Sequence, residues 1–98
     1  MKEQQAMAET HPIRLSPAEI LHQAQRFFGP EGLGMELETS GPDLVRYSGR
    51  NGFVELEIRP DGNYQVRLTI EHQGYEQEIQ AFRRRLGKQA RAETEASN

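Results

Sequence analysis

Ninety-eight residues, 35% hydrophobic and 28% charged, supply one small domain with a thin core. A formal net charge of −3 gives the chain no overall attraction to nucleic acid or to an anionic membrane. The lack of cysteine excludes a disulfide framework, a thiolate metal site and a cysteine nucleophile.

The chain opens with MKEQQAMAETHP, which is polar and aperiodic, so residues 1–12 read as a flexible arm. It has no apolar leader core, and no window approaches the roughly 18 apolar residues of a membrane span. A cytoplasmic location with no membrane partner is the resulting expectation. Residues 13–87 read as a single α+β domain, and residues 88–98 as a flexible tail.

LSPAEILHQAQRFFGP carries helix signals at both ends. Ser16 is a good N-cap, Pro17 suits the first helical position, and Glu19 completes a capping box. Ile20, Leu21, Ala24, Phe27 and Phe28 fall on one apolar stripe, and Gly29-Pro30 stops the helix.

Four strands follow. Met35 and Leu37 alternate with Glu36 and Glu38, and Val45 and Tyr47 flank Arg46, with turn-rich breaks at SGPD and SGRNG. Val54, Leu56 and Ile58 then alternate with Glu55, Glu57 and Arg59. Beyond the turn, Tyr64, Val66, Leu68 and Ile70 alternate with Gln65, Arg67, Thr69 and Glu71. Period two means one dry and one wet face. Pro60-Asp61-Gly62 suits a three-residue hairpin loop, which sets Arg59 opposite Asn63, Ile58 opposite Tyr64, Leu56 opposite Val66 and Val54 opposite Leu68.

Tyr75, Ile79, Phe82 and Leu86 repeat at helical spacing, and Gly87 is placed to end that helix. The fold expected is α-β-β-β-β-α, a four-stranded antiparallel meander with both helices packed on its dry face.

Extended across the sheet, this register sets Glu36, Arg46 and Glu57 in a row on the wet face, with Glu55 beside Arg67. Such a face reads as solvated and charge-paired. A nucleic-acid platform needs stacking aromatics and excess positive charge, and here only Phe53 is an aromatic candidate.

The only basic cluster is Arg83, Arg84 and Arg85, followed by Lys88 and Arg91. Consecutive helical residues point about 100° apart, so the three arginines splay around the helix. The low net charge and this splay argue against nucleic acid as partner. His11, His22 and His72 are scattered, with no metal-ligand spacing. Ser16, Ser40 and Ser48 have capping or turn roles. Gly29, Gly32 and Gly34 follow a helix rather than a strand, so they form no phosphate loop. Glu55 and Glu57 share a wet face beside arginines, which does not raise a pKa for acid catalysis. No catalytic, cofactor or metal residue is assigned.

The reading is a small non-enzymatic interaction module, an adaptor, accessory or chaperone-like protein binding through its surface. The candidate surface is Arg83, Arg84, Arg85 and Lys88. The alternative is a nucleic-acid-binding protein using the segment from Arg83 to Arg91. A ligand pocket between helices and sheet requires an unpaired polar group on the dry face, for which Tyr47, Tyr64 and Tyr75 are the candidates. The strand from Tyr64 to His72 reads as an exposed edge through which a homodimer forms.

Overall fold

The computed structural model describes residues 7–62 and 65–96, with side chains described as far as residue 92. Seven elements follow one another: β1 (Met7–Ile13), α1 (Pro17–Phe28), β2 (Glu36–Ser40), β3 (Leu44–Gly49), β4 (Gly52–Pro60), β5 (Val66–Gln73) and α2 (Glu76–Ala96). The strands form one antiparallel sheet in the order β1-β5-β4-β3-β2. The expected four-strand meander is therefore present as β2 to β5, with a fifth strand added beside β5. Ile20, Ala24 and Phe28 of α1 and Ile79, Phe82 and Leu86 of α2 share one core with the inward residues of β3, β4 and β5. Both helices cover the same face, as the single apolar stripes require.

Local chemistry accounts for α1. The Ser16 hydroxyl accepts a hydrogen bond from the Glu19 N–H at 3.1 Å, and Pro17 occupies the first turn. Glu19 does not close the box reciprocally; its carboxylate accepts from the Gln23 amide at 2.9 Å. Phe28 is wholly buried and sits 4.9 Å from the Phe82 ring and 5.8 Å from Tyr47, so it joins both helices to β3. Phe27 lies at the margin of the core, only partly buried.

Four expectations are corrected. Residues 7–13 are not a free arm but β1, whose partners run from Met7 with His72 to Ile13 with Val66; residues 1–6 lie outside the described residues. Of the edge expected from Tyr64 to His72, the part from Val66 to His72 is interior, because β5 lies between β4 and β1. A homodimer built on β5 has no free backbone to pair with while β1 is in place. Nor does α2 end at Gly87: it continues to Ala96 through the segment expected as a tail.

The fourth concerns register. β4 and β5 pair Leu56 with Ile70, Ile58 with Leu68 and Pro60 with Val66, each partner four residues further along β5 than the expected alignment. Asn63 and Tyr64 lie outside the described residues. The turn is longer because Asp61 gathers it: its N–H donates to the Gln65 carbonyl at 3.1 Å, and its carboxylate accepts from Arg67 at 3.3 Å. Gly62 is left-handed, as expected, with φ 73°. An even slip keeps every side chain on its own face, so the dry face survives intact. On the wet face, however, Arg46 stands opposite Glu55 rather than Glu57, while Glu55 faces Glu71. A bulge between Leu37 and Thr39 lets Glu38 reach Arg46 at 3.0 Å, and Glu55 accepts from it at 3.1 Å. The Glu55 hydrogen bond leads the causes that raise the Arg46 pKa further above its ordinary value. The same guanidinium lies 4.0 Å over the Phe53 ring, so that aromatic is covered.

Between β5 and α2 the chain turns through two left-handed residues, Gly74 (φ 74°) and Tyr75 (φ 63°). A tyrosine holds that conformation only against a cost of about 1–3 kcal/mol. The Tyr75 hydroxyl accepts from the Asn51 N–H at 3.3 Å, and the buried His72 ring meets the Gly74 carbonyl at 2.7 Å through Nδ1. The first bond fastens the start of α2 to the β3–β4 hairpin, and the second holds the turn that leads from β5 into it.

Two tests follow from the packing. Phe28→Ala is expected to cost about 3–5 kcal/mol in urea denaturation, and Phe27→Ala less than about 2 kcal/mol, because only the first opens a sealed cavity. Burial raises the Tyr47 hydroxyl above its ordinary pKa of 10.0. The folded state therefore holds this proton more tightly than the unfolded chain. Its stabilising effect is complete below pH about 10 and declines as pH rises through the raised value. Alkaline melting curves are expected to fall less steeply for Tyr47→Phe than for the parent.

Candidate functional site

The splay of the α2 arginines sends each to a different neighbour. Arg83 turns to β1, where its Nη1 donates to Glu9 Oε1 at 3.0 Å and meets His11 Nε2 at 3.3 Å. Glu9 and His11 stand opposite Ile70 and Leu68, so both face the helix layer rather than the wet face. Arg83 Nε is sealed from solvent with no hydrogen-bond partner. Arg85 turns the other way and holds its guanidinium 5.5 Å above the Phe27 ring of α1. Arg84 points outward between them.

Neighbouring elements complete what the splay divides. β1 and α2 enclose a cleft of about 740 Å³ lined by His11, Pro12, Ile13 and Arg14 on one side and by Gln80, Arg83, Arg84, Gly87, Ala90 and Arg91 on the other. A shallower trough between α1 and α2 brings Arg26 together with Arg84, Arg85 and Lys88. Arg84 belongs to both. Seven of the 12 Lys and Arg residues line these two depressions: Arg14, Arg26, Arg83, Arg84, Arg85, Lys88 and Arg91.

Of the four candidate residues, the structure thus places Arg83 and Arg84 in the cleft and Arg84, Arg85 and Lys88 in the trough. Arg14 and Arg26 were not singled out by sequence. Arg14 directly follows a strand that has no apolar alternation, and Arg26 lies on the polar side of α1. Only the packing of α2 between those elements brings them to Arg84.

Chemically, the cleft suits an anion. It is lined by four guanidinium groups, and Glu9 neutralises only Arg83. Guanidinium presents a planar fork of donors matched to carboxylate or phosphate oxygens. Among the described residues, no three His, Asp or Glu side chains are grouped to hold a metal ion.

Gly87 bears on this surface. It sits inside α2, where glycine costs up to about 1 kcal/mol relative to alanine, and a Cβ placed there meets nothing within 4 Å. Packing does not demand it. Gly87→Ala is expected to raise stability by about 0.5–1 kcal/mol in thermal or urea unfolding, while adding a methyl group to the wall of the cleft.

No family model matches this chain, and neither the curated proteins nor the solved structures contain a match to it.

Proposed function

We propose that this is a small non-enzymatic interaction module, acting in the cytoplasm, whose β1–α2 cleft takes an extended acidic segment of a partner protein. The observation that carries this reading is the convergence of Arg14 and Arg91 on Arg83 and Arg84 in a chain of net charge −3. Attraction in such a molecule is local, so it selects an anionic segment rather than any polyanion.

The β1 edge supplies a second element of recognition. β1 pairs with β5 on one side and ends the sheet on the other. An added strand hydrogen-bonds to such an edge through its backbone, and alternate side chains then point to one face. Acidic residues at every second position of the added strand fall on the helix side, where the arginines are. Lack of cysteine accords with a reducing compartment, and no helix among the described residues is long and apolar enough to cross a membrane.

One observation favours nucleic acid instead: Arg84 joins cleft and trough into a continuous cationic band along α2. Against it, neither depression is lined by Phe, Tyr or Trp for base stacking, His11 being the one ring in the cleft.

Fluorescence anisotropy separates the two readings. A labelled peptide of about eight residues alternating Glu and Val is expected to bind with micromolar affinity, its Gln counterpart at least about tenfold more weakly. Arg14→Gln with Arg91→Gln is expected to weaken the acidic peptide about three- to tenfold. Equal binding of both peptides would sink this reading. Tighter binding of single-stranded DNA, with a salt slope that shrinks in Arg84→Gln, would replace it with the nucleic-acid one.

A further inference from the structure

At the opposite edge of the sheet lies a second depression, between α1 and the β2–β3 pair, enclosing about 680 Å³. Its walls are mainly apolar, formed by Leu21 of α1, Met35, Leu37 of β2 and Val45 and Tyr47 of β3, with Gln25 at its side. Leu37 pairs with Tyr47 across the strands and so lies on the helix-covered face, yet it is 54% exposed. The helix layer stops short of it.

Tyr47 is the informative residue. It is only 4% exposed, its ring rests 5.8 Å from Phe28, and its hydroxyl has no hydrogen-bond partner among the described residues. Buried tyrosine hydroxyls almost always have one. Among the described residues the only side-chain polar atom both sealed and unpartnered is Arg83 Nε, so the Tyr47 hydroxyl keeps contact with open space, and the depression it lines is this one. The core thus holds a donor at the wall of this depression.

We propose that this depression binds a small, uncharged, largely apolar molecule bearing a hydrogen-bond acceptor, such as a ketone or ester oxygen, which receives the Tyr47 O–H. The volume lies in the range of about 300–1,000 Å³ usual for small-molecule sites, and equally usual is a mainly apolar lining with a few polar groups, here Gln25, Glu36, Ser40 and Tyr47. Charge sets the ligand class. No Lys, Arg or His lines the site and Glu36 does, so an anion meets no partner and one repelling carboxylate. Met35, unbranched and polarisable, adapts its wall to the ligand's outline. Burial, which favours the neutral phenol of Tyr47, keeps it a donor across the neutral range.

The probe is a neutral solvatochromic naphthyl ketone, 6-propionyl-2-dimethylaminonaphthalene, with an anionic naphthalenesulfonate as comparison. The ketone is expected to bind one to one with a blue-shifted emission, and the sulfonate at least about tenfold more weakly. Tyr47→Phe, which keeps the ring, is expected to raise the ketone's Kd about two- to tenfold, the worth of one hydrogen bond. Leu37→Arg changes an exposed side chain and leaves the core alone. It is expected to weaken the ketone and to improve the sulfonate, reversing the preference. Lack of saturable ketone binding up to about 100 μM would overturn the proposal. So would an unchanged Kd in both variants, or a parent protein that prefers the sulfonate. Sedimentation showing that the depression is filled by a second copy, released by Leu37→Arg, would also overturn it.

Discussion

The docking of β1 onto β5 is the interaction on which the rest of the molecule depends. It converts β5 from an edge into an interior strand and closes a row of backbone groups that would otherwise recruit another chain. It also links the layers. Thr10 meets Thr69 hydroxyl to hydroxyl at 3.2 Å on the wet face, while Glu9 and His11 rise on the other face to Arg83 of α2. One strand thus ties the sheet to its helix and forms one wall of the arginine-lined cleft. Remove β1, and the cleft loses a side and Arg83 loses both its partners.

What the sequence reveals and hides follows from this. α1 is legible because Ser16, Pro17 and the apolar stripe all point to one start and one face. β4 and β5 are legible because alternation over eight or nine residues admits no other face assignment. β1 is hidden because its inward positions include Glu9 and His11, chosen for Arg83 rather than for the core, and because Pro12 breaks any strand signal. Gly87 misleads for a similar reason: it has the look of a helix stop, but the core contacts of Leu86 and Ala90 on either side carry α2 onward. The register slips by four because the side chain of Asp61, not the Pro-Asp-Gly string alone, decides where the hairpin closes.

For the site, local sequence conveys direction but not company. That Arg83, Arg84 and Arg85 point three ways follows from helical geometry and is what the structure contains. That Arg14 and Arg26 meet them from other elements is a property of tertiary packing. The mild net charge of −3 conceals the outcome, a helix layer whose depressions gather seven cations and a sheet face carrying Glu38, Glu55, Glu57 and Glu71. The wet face is quiet by construction: Arg46 is shared between two carboxylates and covers Phe53.

The position of β1 in the chain carries a kinetic consequence. Its partners on β5 lie from 53 positions away (Ile13 and Val66) to 65 (Met7 and His72), whereas β2 to β5 pair with strands at most 20 positions off (Phe53 and Gln73). Closing the longer loop costs more entropy and depends on β5 being in place, so the meander assembles first and β1 seals it last. On the ribosome the order of emergence is the reverse: β1 leaves the tunnel first and waits for β5. Once β5 emerges, the meander displays an open strand until β1 docks, and the time between those two events sets how long a newly made chain stays vulnerable to pairing with its neighbours.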